Sequence, residues 1–212
     1  MTKNGTPRGR IVRRLGVNIF GNPKYDRLLD RKPALPGKAP KSRLPKRSEY
    51  ALQLAEKQKY RDAYGLGERQ FRKAVLAAGR SRGSTGEALV AMLEARLDNV
   101  VYRLGWAPSR PAARQLVCHG HVMVNGRRLD IPSARLSEGD ALSLVAPKTL
   151  IERAADCAAR SGPAPSWLAR EEAAGSGAAA SGRLIARLAA PPQAAEASVR
   201  GDPRRVVEFY AR

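Results

Sequence analysis

Residues 94–145 restrict the fold more than any other stretch, because their apolar spacing changes from that of helices to that of strands. Apolar residues recur every three or four positions from Leu97 to Leu104, and a glycine follows as a helix end. Ser109 is placed to cap a second helix, which Gly120 ends. This half of the stretch predicts two short helices.

The second half of the stretch predicts a small antiparallel sheet. Residues 121–124 and 127–131 alternate in polarity on either side of Asn125-Gly126. Asn-Gly is a strong hairpin signal, because both residues accept the positive φ angles of a tight turn. Residues 141–145 predict a further strand. The stretch as a whole is expected to be two short helices packed on a small twisted sheet.

Helices are also predicted on both sides of this stretch. Ser48 caps one that runs to about Tyr64, and residues 68–78 form another. A capping box opening at Ser84 begins a third helix, whose leucine stripe continues to Leu104. The apolar side of the first of these helices is expected to comprise Leu52, Leu54, Ala55 and Tyr60.

The C-terminal part of the chain alternates between helical and irregular patterns. A capping box at Thr149 predicts a helix to residue 160, and Asp202 followed by Pro203 predicts the start of a last short helix. Between them, residues 161–181 are rich in Ala, Gly, Ser and Pro, which indicates a surface linker.

These elements predict an α+β protein with a mostly helical domain, a small module and a basic extended N-terminal arm. The expected boundaries are residues 1–47 for the arm, 48–93 for the helical domain, 94–160 for the module and its exit helix, 161–181 for the linker and 182–212 for the C-terminal segment.

The charge of the chain indicates a polyanionic partner. Thirty-nine Lys and Arg residues stand against 19 Asp and Glu, a formal charge of +20. Residues 1–47 hold fourteen of the basic residues and two of the acidic ones, and so carry +12 of the total. Nucleic acid is the first candidate for the partner. A membrane is the second, but no apolar stretch approaches the roughly 20 residues of a spanning helix.

The arm is expected to become ordered on RNA, since apolar residues between Ile11 and Phe20 interleave with its charges. A disordered solubilising tail is the alternative. Neither a secretory signal nor an organellar transit peptide is favoured by the first residues. The two cysteines, Cys118 and Cys157, are expected to be small buried or half-buried apolar residues in a reducing cytosol.

Several motifs resemble one known family. The helix from Ser109 reads S-R-x-x-A-R-Q-L-V, and H-G-H-V-x-V-N-G-R-R follows it. Outside the module, the resemblance extends over residues 47–72, L-E-A-R-L-D-N-V-V-Y-R-L-G at 93–105, and V-E-F-Y-A-R at 207–212. These motifs are similar to those of the S-four family of small-subunit ribosomal proteins, which contains an RNA-binding module of the same name.

The resemblance implies that residues 182–212 complete the helical domain, so that the module is inserted into it. It further implies that the chain binds the 5′ domain of small-subunit ribosomal RNA directly and nucleates assembly of the subunit body. It also implies contact with ribosomal protein S-five, a role in decoding accuracy, and messenger RNA at the entry path as a second ligand. The expected location is the cytoplasmic ribosome, with an organellar ribosome the alternative.

Many members of the family bind zinc through four N-terminal cysteines. Here the matching positions are Gly9, Val12, Asn22 and Arg27, which are not a zinc ligand set. No metal or other cofactor is therefore expected.

No catalytic group is expected either. Residues 79–83 match G-x-S-x-G, but the stretch follows a helix and lies between arginines, unlike a nucleophile elbow. The two histidines lack further ligands for a metal, and they are interpreted either as polar groups facing RNA or as solvent-exposed loop residues. The expected RNA-binding residues are Arg8, Arg10, Arg13, Arg14, Lys24, Arg47, Lys57, Lys59, Arg69, Arg72, Ser109, Arg110, Arg114, Gln115, His119, His121 and Asn125.

Arg110 and Arg114 are the most specific of these predictions. They lie four residues apart on one helix face, near a helix N-terminus that favours phosphate. The alternative is a solvated face. Replacing both with Ala is expected to weaken RNA binding, because two phosphate contacts are lost. Thermal stability is expected to remain nearly unchanged, because neither side chain is expected in the core.

Two rival functions share the module. An RNA-modifying enzyme such as a pseudouridine synthase needs a separate catalytic domain, for which the flanking segments leave no room. A stress protein that binds stalled ribosomal particles would need neither residues 47–72 nor the C-terminal motif. Sedimentation with the small subunit, or with the large one, separates these possibilities.

Overall fold

The structure is a computed structural model, and it describes residues 6–37, 48–171 and 183–211. Its helices are α1 (Arg8–Leu15), α2 (Pro23–Arg31), α3 (Glu49–Ala63), α4 (Glu68–Ala78), α5 (Thr85–Glu94), α6 (Leu97–Arg103), α7 (Arg110–Cys118), α8 (Lys148–Arg160) and α9 (Pro203–Tyr210). Its strands are β1 (Val122–Val124), β2 (Arg127–Arg128), β3 (Ala141–Val145), β4 (Leu168–Glu171) and β5 (Arg183–Leu188). The predicted α+β class is confirmed.

The chain divides into two compact units. Unit 1 comprises Met1–Gly86 together with Ser198–Arg212, and unit 2 comprises Glu87–Ala197. Unit 1 is helical and includes α9, which packs on α3 and α4. Unit 2 holds α6, α7, α8 and the sheet. No helix in the described ranges is both long enough and apolar enough to cross a membrane.

In unit 1, the predicted helix from residue 68 to 78 is confirmed at both ends, and Ser48 caps α3 through a bond from the Ala51 amide. The buried face of α3 agrees with the predicted one only at Tyr60. Gln53 and Lys57 are buried as well, whereas Leu52, Leu54 and Ala55 are only half-buried. The prediction was wrong for these three residues because α9 covers the polar side of α3.

The description of residues 1–47 as extended is wrong for residues 8–31, which form α1 and α2. Ile11, Val12, Leu15 and Ile19 are all buried. The apolar residues interleaved with the charges therefore make a small core.

Unit 2 contains a five-stranded antiparallel sheet in the order β2-β1-β3-β5-β4. The hairpin at Asn125 forms as predicted, with that residue at φ 50°. The linker interpretation of residues 161–181 is wrong for β4, which pairs with β5 and follows the buried Trp167. Likewise, β5 lies beside β3 and so does not join the helical unit. Residues 172–182 lie outside the described ranges.

The predicted helix from Ser84 to Leu104 is interrupted. It ends at Glu94, and α6 begins at Leu97. The backbone amides of Leu97 and Asp98 donate to the carbonyls of residues 134 and 132, at 2.9 and 3.1 Å, and so leave the helical ladder. These hydrogen bonds replace those of a continuous helix, so the helix breaks between Glu94 and Leu97 although the leucine spacing continues across the break.

The two cysteines differ in exposure. Cys157 is half-buried, as expected, whereas Cys118 is exposed at the end of α7. The expectation of at least partial burial is therefore wrong for Cys118.

Candidate nucleic-acid interface

The start of α6 carries a buried carboxylate that holds two arginines. Asp98 is 6% exposed and accepts hydrogen bonds from Nε and Nη2 of Arg96 at 3.1 and 2.8 Å. Nη1 of Arg114, on α7, donates to the same carboxylate at 3.2 Å. The first turn of α6 is thereby tied to the middle of α7 by a charged contact.

The next residue, Asn99, makes a second such connection. Its side-chain amide donates to Oε2 of Glu94 at 2.9 Å, and its side-chain oxygen accepts from Nε of Arg110 at 2.9 Å. Glu94 is fully buried and lies 3.5 Å from Nε of Arg103. The Arg110 guanidinium also lies 4.6 Å from the centre of the Tyr102 ring.

We call this group the Asp98 cluster; its members are Glu94, Arg96, Asp98, Asn99, Arg103, Arg110 and Arg114. Its four arginines and two carboxylates give it a net charge of +2. The carboxylates are buried, whereas Arg110 and Arg114 are half-buried and reach the surface. The cluster therefore presents positive charge outward on a rigid base.

The shared face predicted for Arg110 and Arg114 is confirmed, since both side chains reach the first turn of α6. Neither side chain lies in the core, as expected, but each binds a buried partner and so also helps to hold α7 on α6. Ser109 occupies the cap position of α7, but its side chain makes no capping hydrogen bond.

The other predicted residues of the module lie around α7 and the hairpin. Gln115 and His119 are exposed, and His121 is half-buried with its ring centre 6.2 Å from that of His119. Asn125 instead serves the turn. Its side chain donates to Asp140 at 2.8 Å and accepts from the backbone amide of Ala141 at 2.9 Å.

In unit 1, α4 has one apolar and one basic face. Phe71, Val75 and Ala78 are buried. The opposite side exposes Arg69, Arg72 and Lys73, and Arg80 and Arg82 follow the helix. None of these five cations forms an ion pair with another residue of the described ranges. This basic face is open to a polyanion.

Glu68, the carboxylate at the start of α4, is bound by residues of α3 and α9. Glu68 accepts hydrogen bonds from Nζ of Lys57 at 2.9 Å, Nη1 of Arg61 at 3.2 Å and the Tyr210 hydroxyl at 2.6 Å. Nζ of Lys57 lies 4.5 Å from the centre of the Phe209 ring. We call these five residues the Glu68 cluster.

Protonation of Glu68 is strongly disfavoured within this cluster. Partial burial alone would raise the pKa of its carboxyl, but the hydrogen bonds from Lys57, Tyr210 and Arg61 outweigh that effect. Together they lower the pKa from 4.5 to about 2. Burial and the bond to Glu68 also raise the pKa of the Tyr210 hydroxyl.

The predicted RNA contact at Lys57 conflicts with the structure. The residue is only 6% exposed, and its ammonium is enclosed by Glu68 and the aromatic rings of α9. Lys59 is also partly buried, with Nζ 2.6 Å from Glu56. The spacing of these lysines along α3 does not predict the burial of Lys57, because the helix that covers it, α9, comes from the far end of the sequence.

The predicted arm residues lie on α1 and α2. Arg8, Arg10, Arg14 and Lys24 are exposed. Arg13 instead donates to the backbone carbonyls of residues 32 and 34, at 3.2 and 2.8 Å. Arg47 lies outside the described residues.

The positions that match zinc ligands in the family serve other purposes here. Val12 is fully buried, and Asn22 caps α2 by accepting from the Lys24 amide. In the described ranges, no three His, Cys, Asp or Glu side chains are grouped so that they could hold a metal ion. Arg13 of α1 bonds to the carbonyls of residues 32 and 34 just after α2, and Asn18 bonds to Asp26 of α2.

Two family models match consecutive parts of this chain. The model described as "Ribosomal protein S4/S9 N-terminal domain" matches residues 3–94, and the "S4 domain" model matches residues 95–142. The small ribosomal subunit protein uS4 of Treponema pallidum is 43% identical over 210 residues, which is 97% of each chain. That of Borrelia hermsii is 38% identical over 215 residues, covering 100% of this chain and 99% of the relative.

The chain belongs to the uS4 family. The resemblance seen in its motifs is confirmed. The division between the two family models, after residue 94, coincides with the helix break between α5 and α6. The stretch L-E-A-R-L-D-N across that break contains both carboxylates of the Asp98 cluster, Glu94 and Asp98.

The sequence interpretation missed several residues of these surfaces. Lys73 continues the basic face of α4, and its four-residue spacing from Arg69 could have indicated this. Arg127 and Arg128 are exposed on β2, and Nη2 of Arg128 donates to the carbonyl of His119 at 3.1 Å. The Arg128 guanidinium occupies the space where Gly120 lacks a side chain. No local pattern predicts that contact.

Proposed function

We propose that the chain binds small-subunit ribosomal RNA directly, as a structural component of the small ribosomal subunit. The observation that carries this proposal is the exposed positive charge of Arg69, Arg72 and Lys73 on α4, none of which forms an ion pair with the residues that the structure describes. Arg110 and Arg114 add a second basic surface in unit 2. Membership of the uS4 family supports the choice of ribosomal RNA as the polyanion.

Binding through such residues is expected to act mainly on the RNA backbone. Arg and Lys neutralise phosphates and release counterions, which dominates affinity and makes it depend on salt. Folded RNA is distinguished by its shape and 2′-hydroxyls more than by base edges. Specificity therefore comes from the spacing of basic surfaces on each unit.

The narrower parts of the proposal follow the family resemblance. The chain nucleates assembly of the subunit body on the 5′ domain of the RNA, contacts ribosomal protein S-five and contributes to decoding accuracy. Messenger RNA at the entry path is a further ligand. The protein acts in cytoplasmic ribosomes and has no catalytic activity of its own.

Salt-dependent binding to a 5′-domain transcript tests the RNA contact. Arg72→Ala removes an exposed charge and is expected to lower the magnitude of the salt slope by roughly 0.7–0.9, with weaker binding. Lys57→Met is the matched control, since it removes one charge from the same unit at a buried site. Its slope should equal that of the wild type. Equal salt slopes for the wild type, Arg72→Ala and Lys57→Met would contradict the proposed contact between α4 and RNA.

Sedimentation tests the ribosomal role against the two rivals. A structural component should be present at one copy per small subunit and remain bound through a salt wash. An RNA-modifying enzyme would be substoichiometric, and a stress protein would follow large-subunit or stalled particles. Either pattern would contradict the proposal.

We also propose that RNA stabilises the described part of the arm, which contains α1 and α2. In the described part, residues 6–37, eight basic residues stand against two acidic ones. Lys24, Arg27 and Arg31 line one open groove of about 500 Å³ along α2. RNA phosphates would neutralise this charge. Amide exchange in α1 and α2 should slow when the 5′-domain transcript is added, and unchanged exchange in a saturated complex would contradict this proposal.

A further inference from the structure

We infer that Asp98 and Asn99 are positioning residues. They hold the guanidinium groups of Arg114 and Arg110 one helical turn apart, so that both groups meet RNA phosphates in a fixed arrangement. The inference rests on the proposed RNA binding, and it assigns a binding role to two side chains that do not themselves face the ligand.

The two acceptors are rigid parts of unit 2. Asp98 is 6% and Asn99 1% exposed. The Asp98 carboxylate is fixed by the two bonds from Arg96, and the Asn99 amide by Glu94. Arg114 and Arg110 of α7 are therefore each hydrogen-bonded to a side chain that is itself fixed, and this restricts their own movement.

The arginines themselves extend from this base toward solvent. The Arg114 side chain is 32% exposed and gives Asp98 a hydrogen bond from Nη1. A guanidinium is planar and has five N–H donors, so one bond to a carboxylate leaves donors for a phosphate. An arginine held in this way has already lost much of its rotamer freedom before RNA arrives. Fixing one such side chain in advance is expected to tighten binding about two- to tenfold.

Charge alone predicts the opposite effect for Asp98. A carboxylate beside an RNA-binding surface repels phosphate, so its removal should strengthen binding if it acts only through its charge. If it positions Arg114, removal should weaken binding although the protein becomes more positive. The two explanations therefore predict opposite signs.

Asp98→Asn tests this sign, with fluorescence anisotropy of a labelled 5′-domain transcript over a salt series. The variant should bind about two- to tenfold more weakly at each salt concentration, because Arg114 must then be immobilised when RNA binds. Asp130→Asn is the matched control, because it removes an exposed carboxylate from the same unit. It should bind as the wild type does, or slightly more tightly. Tighter binding of Asp98→Asn would overturn the inference.

A double-mutant cycle separates positioning from general loss of structure. In an Arg114→Ala background, Asp98→Asn should change affinity far less than it does in the wild type. An equal loss in both backgrounds would show that Asp98 acts through folding alone. Tryptophan fluorescence reports whether unit 2 is folded, since Trp106 and Trp167 are its buried tryptophans.

Arg114→Lys keeps the test decisive if Asp98→Asn does not fold. Lysine retains the charge but not the planar fork that can bond to Asp98 and a phosphate together. It should bind about two- to tenfold more weakly than arginine. Binding equal to that of the wild type would overturn the inference. If the wild type itself fails to bind the transcript, the proposed function fails first.

Discussion

The Glu68 cluster of unit 1 and the Asp98 cluster of unit 2 use the same residue types toward different ends. In unit 1, Glu68 binds Lys57 and Arg61 of α3 and the Tyr210 hydroxyl of the C-terminal helix, and the Phe209 and Tyr210 rings lie over the Lys57 ammonium. In unit 2, the buried carboxylates hold arginines whose outer parts reach the surface. The first arrangement joins distant parts of the chain, whereas the second supports an exposed binding group.

The difference shows that positive charge does not by itself identify an RNA contact in a basic protein. Lys57 and Arg72 both lie on helices of unit 1, but Lys57 is buried beneath aromatic rings and Arg72 is exposed. The position of the acidic or aromatic partner decides which role a cation has. Four experiments address this contrast, in order of decreasing expected effect.

Removing the acid of the Glu68 cluster should have the largest effect on stability. Glu68→Ala leaves the buried Lys57 ammonium without its carboxylate and removes the acceptor of the Tyr210 hydroxyl. Because the Glu68 side chain is itself 47% exposed, the expected loss is about 1–3 kcal/mol, below the range for a fully buried pair. Denaturation followed by far-UV circular dichroism would measure it.

The loss should be confined to unit 1. Tryptophan fluorescence, which reports on unit 2, should give an unchanged transition. Glu152→Ala is the control, since that residue is exposed and lies 3.9 Å from Lys148. It should cost less than about 0.5 kcal/mol. Equal effects of the two variants would mean that the Glu68 cluster does not hold α9.

Arg114→Ala should produce the converse pattern. It removes one partner of the buried Asp98 carboxylate but leaves Arg96 in place, so unit 2 should lose about 1–2 kcal/mol. The tryptophan transition should move with it. Arg153→Ala, at an exposed position of α8, should leave that transition unchanged. An unchanged tryptophan transition in Arg114→Ala would contradict this prediction, because it would show that Arg114 does not stabilise unit 2.

Acid should weaken unit 1 through Glu68. The pKa of this residue is about 2 in the folded protein and 4.5 in its ordinary state, so its ionised form stabilises the fold above about pH 4.5. That contribution is lost as pH falls from 4.5 to about 2. The stability difference between the wild type and Glu68→Gln should therefore shrink over this window in urea titrations. A constant difference would contradict the charged role of Glu68.

Added salt should have a small effect on amide exchange, in one direction for α1 and α2 and in the other for α6. Cations of α1 and α2 repel one another, so screening them should slow amide exchange there. The Asp98 cluster joins opposite charges, whose attraction is weakened by salt, so amides of α6 should exchange slightly faster at higher salt. Each shift is expected to be below about 1 kcal/mol. Slower exchange in both regions would remove the electrostatic contrast.

The sequence predicted those features whose signals are local. Ser48, Asp202 and the Asn125 turn act within a few residues of the chain, and each occupies the predicted position. The helix from residue 68 to 78 is amphipathic over its full length, so its pattern defined both ends. The exposure of Arg69 and Arg72 followed from the same pattern.

Features that depend on distant pairing were not predictable in this way. The strand β4 lies in a sequence whose composition indicates a linker, and it exists because β5 pairs with it. The helix break before Leu97 leaves the leucine spacing intact, since residues 132–136 supply the replacement hydrogen bonds. The burial of Lys57 requires α9, which is about 150 residues further along the chain.

The position of α9 in the chain also determines when unit 1 can finish folding. All of unit 2 is synthesised between α4 and α9, although both of these helices belong to unit 1. At roughly 5–20 residues per second, the delay is on the order of ten seconds. Unit 2 has its whole sequence as soon as residue 197 is made, whereas α3 exposes the face that buries Lys57 and Tyr60 until α9 follows. Nascent unit 1 therefore depends longest on protection from aggregation.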